Sequence, residues 1–425
     1  MSGLWQDTPV IPYEEALQLL LAGALPPAGH AVPLAEAVGG ITTEASHSRL
    51  AVPGFANAAM DGYVLRAAAT RGASVQNPVR LPVAGLIAAG RAPPAEAEAP
   101  GRDERAWEIL TGAPVPDGLD AVIPLERVTC VDGQPASLLI TTPLEHGQNV
   151  RLAGEDFSVG QAVVTRGTLL APHHLMALAA CGIDEVHIAR RPRIAVLTTG
   201  NELVSEGTEL PPGRIRDANG PYLRSILPLL GAELTVLARA TDAAAELRTR
   251  LSELVAGADV ILTTGGVSAG RLDLLPAAVR ALGGEVLFHK VAIRPGKPVL
   301  HARLPGGTLL FGLPGNPLAV AVGMRFFVIP ALRGLRGQAP ECATPALTLE
   351  PVRGRGNLRF FAKARTEVDA RGVRRVRILP GQESFRIAPL LVANCWAIVL
   401  EGVEEIPAGG VLQTVPLYPD DATLP

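Results

Sequence analysis

The chain has 425 residues, 48% hydrophobic and 19% charged, which predicts two to four domains with ample cores and excludes a disordered chain. Its 38 basic and 41 acidic side chains leave a net charge of −3, so no basic field points to nucleic acid or an anionic membrane. Four scattered cysteines without a CxxC pair exclude a disulfide or zinc framework. With no signal-like start and no uncharged apolar run of about 18 residues, the expectation is a cytoplasmic protein without a membrane span.

Residues 12–47 read as helical, with a spaced apolar pattern in YEEALQLLLAG and a second apolar group near 32–38. The segment VPGFANAAMDGYVLR (52–66) reads as loop leading into strand. From about 79 to 151 short β-type runs between Pro and Gly predict a small β domain, and PHHLMALAACG then predicts a helix ending at Gly182. The N-terminal part is thus a helical domain (1–50 and 152–190) interrupted by a β domain (51–151). From Arg193, strand and helix patterns alternate regularly: RIAVLTTG, GPYLRSILPLLG, ELTVLARAT, DAAAELRTRLSELVAG, DVILTTGG, LDLLPAAVRALGG, EVLFHKVAI, GTLLFGL and LAVAVGMRFFVIPAL. That pattern predicts a mostly parallel, doubly wound α/β domain (191–338), which binds ligands beyond the carboxyl ends of its strands. Short strands and turns return over 339–425.

Three glycine-rich loops follow strands of the α/β domain: TTGNEL (198–203), TTGGVSAG (263–270) and GLPGNP (312–317). Glycine lets a backbone approach an anion, and the helix start after each loop is expected to offer unpaired N–H groups. Between the second and third loops lies HKVAIRPGKP (289–298), which holds two of only three lysines in the chain, Lys290 and Lys297. An ammonium and a guanidinium are not equivalent phosphate ligands, so this stretch is a site candidate. Glu202, Asp217, Asp242 and Asp273 cluster in the same region. Taken singly, each has a structural explanation, such as Asp242 capping the helix that follows it; together they suggest Mg²⁺ held by carboxylates and substrate phosphate. Neither GxxxxGK[ST] nor a helix-opening GxGxxG is present, which argues against ordinary NTPase or dinucleotide sites. Residues 266–270 fit the GxSxG nucleophile elbow, but no acid and histidine follow at the spacing a hydrolase triad needs.

In order, VPGFANAAMDGYVLR, ILTGAPVPDGLDAVIP, RLAGEDFSVG, TTGNEL, TTGGVSAGRLD, RPGKP and GLPGNP resemble the molybdopterin molybdenumtransferase family over nearly the whole chain. The resemblance implies a helical N-terminal domain with an inserted β domain, a central α/β domain and a C-terminal β-barrel. It also implies a homodimer, with the active site between one subunit's α/β domain and its partner's β domain. The implied reaction joins molybdate to adenylylated molybdopterin and releases AMP, with Mg²⁺ or another divalent cation as cofactor. Asp61, Asp242, Asp273, Lys290 and Lys297 are the implied catalytic residues, with Glu202, Asp242 and Asp273 toward metal. Thr199, Gly200, Glu202, Gly265, Gly266, Ser268, Arg294, Pro314 and Asn316 are implied to bind the pterin substrate, and Asp156 matches a further acidic position. A molybdopterin-adenylylating protein and molybdoenzyme apoproteins are the implied partners. The alternative is a catalytically altered paralogue that carries or modifies finished cofactor. The chain departs from the family's pattern at Ala56, Ala58, Arg216, Arg294 and Asn357. In the turn Gln382-Glu383-Ser384-Phe385, Glu383 and Phe385 replace glycine where backbone approach matters.

Overall fold

A computed structural model describes residues 9–26, 28–99, 104–132, 136–204, 207–266 and 274–419. At its centre stands a six-stranded sheet in the order Glu233–Ala240, Arg193–Thr199, Val260–Thr264, Leu309–Leu313, Leu300–Arg303, Glu285–His289. The first four strands are parallel, Leu300–Arg303 runs antiparallel to them, and the edge strand Glu285–His289 runs with them again. Both faces are covered, so its middle strands are continuous apolar runs: VILTT and LLFGL are buried throughout. One face packs on the helices Asn219–Leu229 and Pro317–Leu335, the other on Ala244–Val255 and Leu275–Ala281. The chain leaves Arg193–Thr199 for one neighbour and later returns to its other side, which makes the crevice beside Thr199 and Thr264 the topological switch point.

The helix Pro317–Leu335 is apolar enough by composition to cross a membrane, yet it is mostly buried inside the protein. A π-helical turn at Met324–Val328 interrupts it just before Pro330. Pro330 has no N–H to give to the Phe326 carbonyl four residues back, and the Tyr13 hydroxyl donates to that carbonyl instead, at 3.0 Å. The first helix, Tyr13–Gly23, therefore joins the core of the α/β domain through Tyr13, Ala16 and Leu20. Residues 30–36, expected to be helical, form the strand His30–Pro33 and a 3₁₀ turn at Leu34–Glu36. That strand pairs with Glu185–Ile188, and Pro33 disfavours helical backbone in the residue before it. The helix Pro172–Ala180 packs with these strands around Leu170, Leu178 and Val186.

The β domain is a six-stranded sheet in the order Ala121–Pro124, Gly62–Leu65, Ala106–Ile109, Val79–Ile87, Ser137–Ile140, Thr129–Val131. Its entry and exit run side by side: Asn57–Ala58 pairs antiparallel with Val150–Arg151, and Ala59 N–H donates to the Asn149 carbonyl at 2.9 Å. In the C-terminal domain Arg359–Val368, Arg374–Ile378, Thr344–Thr348, Val411–Pro416 and Cys395–Val399 follow one another around a sheet. Cys395–Val399 pairs back on Arg359–Val368, which closes a five-stranded barrel. The two-residue strand Ile293–Arg294, from the lysine-bearing stretch, is hydrogen-bonded in parallel to the barrel strand at Arg359 and Phe360.

Candidate functional site

Beyond the carboxyl ends of Arg193–Thr199, Val260–Thr264 and Leu309–Leu313 lies a cleft of about 560 Å³. All three glycine-rich loops line it: Thr199, Gly200 and Glu202 from the first, Gly265 and Gly266 from the second, and Pro314 and Asn316 from the third. Asp242 comes from beyond the end of Glu233–Ala240. Within the α/β domain alone, loop residues as far apart in sequence as Thr199 and Asn316 thus meet at the switch point.

Backbone contacts hold the loops together. Thr199 Oγ1 donates to the Thr264 carbonyl at 3.0 Å, and Gly265 N–H donates to the Leu313 carbonyl at 3.0 Å. Gly265 takes φ +85°, and a Cβ there would lie 2.6 Å from the Thr199 carbonyl oxygen. Only glycine fits this crossing. A Cβ on Gly200 would meet the Glu202 carboxylate at 2.7 Å, so that carboxylate folds back over its own loop.

Asp242 does not cap the helix after it; that helix begins at Ala244 with no side-chain cap. Its carboxylate instead accepts the Asn201 backbone N–H at 3.1 Å, while Asp242 N–H donates to Asn201 Oδ1 at 3.3 Å. Asp217, from the same sequence cluster, accepts the N–H groups of Asn219 and Gly220 at 3.0 and 2.9 Å. Leu318 N–H, in the first turn of Pro317–Leu335, donates to the Ser384 carbonyl at 3.1 Å. The helix starts at Asn219 and Pro317 are expected to present unpaired N–H groups, but those of Asn219, Gly220 and Leu318 are already engaged within the protein.

Several contributors were not anticipated. Asn219 Nδ2 donates to the Gly315 carbonyl at 2.8 Å, tying the third loop to the helix beside the first. Arg216, where the chain departs from the family's aromatic residue, lines the cleft, as does Pro298. The C-terminal domain also reaches it: Phe385 forms part of the wall, and Asn316 Nδ2 donates to Ser384 Oγ at 3.0 Å. Those contacts join the α/β domain and the barrel and span about 70 positions, so no local pattern announces them.

Other expected residues stand apart from the lining. Lys290 is half-buried at φ +86°, and Arg294 and Lys297 are exposed. They sit on a turn held by Lys290 N–H to the Val299 carbonyl and Val291 N–H to the Lys297 carbonyl; Pro298, of the same turn, is its point of contact with the cleft. Asp61 is exposed on the β domain, where its Oδ1 accepts both the backbone N–H and the hydroxyl of Thr111 at 2.7 Å. Those two donors hold its carboxyl below the ordinary range. Asp156 is exposed beside Val52 in the N-terminal segment. Ser268 and Asp273 lie outside the described residues, as does most of the GxSxG stretch.

Two carboxylates, Glu202 and Asp242, therefore face one glycine-walled cleft. Among the described residues no group of three His, Cys, Asp or Glu side chains could hold a metal ion. Such a donor set fits Mg²⁺, which takes one or two carboxylates and completes its shell with water and substrate phosphate.

Residues 11–182 match the family described as MoeA N-terminal region (domain I and II), and residues 195–334 match the probable molybdopterin binding domain. The chain is 34% identical to the molybdopterin molybdenumtransferase of Synechococcus elongatus, across 94% of this chain and 98% of that protein. It is 36% identical to molybdopterin molybdenumtransferase 2 of Mycobacterium tuberculosis, across 90% and 93%. The crystal structure of the molybdopterin biosynthesis moeA protein from Pyrococcus horikoshii superposes with a TM-score of 0.81 at 28% identity, covering 96% of this chain and all of that one.

Proposed function

We propose, from the premise that this chain belongs to the MoeA family of molybdopterin molybdenumtransferases, that its cleft inserts molybdenum into adenylylated molybdopterin with release of AMP. The chain is a transferase of molybdenum cofactor biosynthesis. The observation that carries the finer reading is the convergence of three glycine-rich loops and two carboxylates on one switch-point cleft.

The loop backbones at Gly200, Gly265, Gly266 and Gly315 allow the close approach that a pyrophosphate needs. Glu202 and Asp242 are the residues that would hold a divalent cation, which would supply positive charge to offset that of the pyrophosphate. Lys290, Arg294 and Lys297, on the turn that meets the cleft at Pro298, supply positive charge for molybdate, the second substrate. Molybdate condenses with the two dithiolene thiols: two Mo–S bonds form, and one oxo oxygen leaves with both thiol protons as water. A second water attacks the adenylyl phosphorus, the P–O–P bond breaks, AMP leaves with the attacking oxygen, and molybdopterin keeps its own phosphate.

Asp61 does not line the cleft of its own chain. In this reading the protein is a homodimer in which each β domain carries Asp61 to its partner's cleft. The protein that adenylylates molybdopterin and the apoproteins of molybdoenzymes are the corresponding donor and acceptors.

The test is AMP release from adenylylated molybdopterin by the purified chain in Mg²⁺ buffer, with and without molybdate. Molybdate-dependent release is the expected result. Tight pterin binding without release would replace this reading with that of a cofactor carrier, and neither binding nor release would overturn it.

A further inference from the structure

Phe385 is the only aromatic side chain lining the cleft among the described residues. Phe385 is 62% exposed as a residue, and it comes from the C-terminal domain rather than from the three loops. An exposed phenyl ring at the mouth of a polar cleft is unremarkable on a loose loop, but this loop is fixed from several sides. Lys363, on the barrel strand Arg359–Val368, is fully buried, and its Nζ donates to the Gly381 carbonyl at 2.5 Å and the Arg386 carbonyl at 3.0 Å. The Gln382 side chain accepts Lys363 N–H at 3.0 Å and donates to the carbonyls of Lys363 and Leu379 at 2.9 and 2.7 Å. Ser384 is bound to the α/β domain through Leu318 N–H and Asn316 Nδ2. Arg386, paired with Glu383 at 3.0 Å, stands 5.7 Å from the Phe385 ring centroid.

The remaining described lining is glycine, proline, aliphatic, polar and charged side chains, the planar Arg216 guanidinium among them, and none other than Phe385 is an aromatic ring. We propose that Phe385 is a specificity-determining contact whose ring stacks on a heteroaromatic ring of the substrate. This inference rests on the function proposed above, whose substrate carries two such rings, the pterin and the adenine. A pre-positioned aromatic face binds a flat heterocycle at little cost in ordering, and its size and planarity select against non-aromatic anions.

The experiment measures equilibrium binding of molybdopterin and, separately, of AMP to the full chain and to its Phe385→Ala, Phe385→Tyr and Phe385→Trp variants. Phe385→Ala is expected to weaken one probe by about five- to hundredfold, the range of a single stacked base. Phe385→Tyr should stay within about twofold of the parent. Bound ligand should quench the new fluorescence of Phe385→Trp beyond the signal of the existing tryptophans. Loss for molybdopterin alone assigns the ring to the pterin, and loss for AMP alone assigns it to the adenine. Parent-like binding of both probes by Phe385→Ala overturns the inference and leaves the proposed function standing. Failure of the parent chain to bind either probe overturns both.

Discussion

Asn201 and Asp242 bond each other twice across the cleft rim, each accepting the other's backbone N–H on its side-chain oxygen. The carboxylate that faces the cleft is thus also the strut of the first loop. Changing charge and changing tether should separate these roles. Asp242→Asn keeps an acceptor oxygen and is expected to lose turnover by about 10²-fold or more at unchanged melting temperature. Asn201→Ala keeps the carboxylate and removes one strut, at about 1 kcal/mol of stability, with a smaller loss of turnover. Steady-state kinetics and thermal denaturation of the two variants check the assignment.

Asp61 predicts a pH dependence. Thr111 donates twice to its carboxylate, which lowers its folded pKa below the ordinary value of 3.8. This pairing contributes stability above that ordinary value and loses it as pH falls through the lowered one. Asp61 therefore stays charged throughout the neutral range. Asp61→Asn should remain folded and lose turnover. Thr111→Val deletes the hydroxyl donor, so any acid limb that Asp61 sets in the pH–rate profile should move to higher pH, which a profile from pH 3.5 to 8 would reveal.

Gly265→Ala is expected to cost about 1–3 kcal/mol from its φ of +85° alone. The added methyl also presses on the Thr199 carbonyl and spreads the first two loops. Denaturant unfolding should show the stability loss, and pterin binding should weaken with it. A variant of parental stability and affinity would mean that the loops do not cross as described.

Lys363→Met removes the two hydrogen bonds that Lys363 Nζ donates to the loop that carries Phe385. Burial disfavours the charged ammonium and pushes its pKa down, so the substitution also relieves a desolvation penalty. That penalty is fully present below the lowered pKa and is relieved as pH rises through it. The two effects on stability oppose each other, and the melting temperature should move little. The KM for the pterin substrate should rise by about fivefold or more, with a smaller change in kcat.

The central sheet was legible because buried parallel strands write themselves as unbroken apolar runs, as in RIAVLTT and VILTT. Leu300–Arg303 was not, because its four residues LHAR include a histidine and an arginine. His301 is nonetheless fully buried, and burial holds its pKa down at about 4, so it packs as a neutral ring against Phe311. The glycine loops declared themselves through composition, and the structure brings all three to one cleft. What the sequence could not convey is the bonding that crosses between distant segments. Asn219 reaches Gly315 across 96 positions, and Asn316 reaches Ser384 across 68. The lysines cluster in sequence, but the turn that carries them is drawn toward the barrel by the pairing of Ile293–Arg294 with Arg359 and Phe360. Proximity along the chain was therefore a poor guide to which of those side chains line the cleft.

The paired stems at Ala58–Val150 and Ala59–Asn149 mean that the chain leaves for the β domain and comes home at a single doorway. A module attached in this way can be grafted or cut out without rethreading its host, since a linker of a few glycines spans the gap between hydrogen-bonded neighbours. Joining the stems directly would yield a chain that keeps its own glycine-walled cleft and lacks Asp61. In the proposed homodimer, such a shortened chain mixed with full-length chains carrying a disabled cleft is expected to recover turnover by borrowing that carboxylate, and no recovery would count against the dimer.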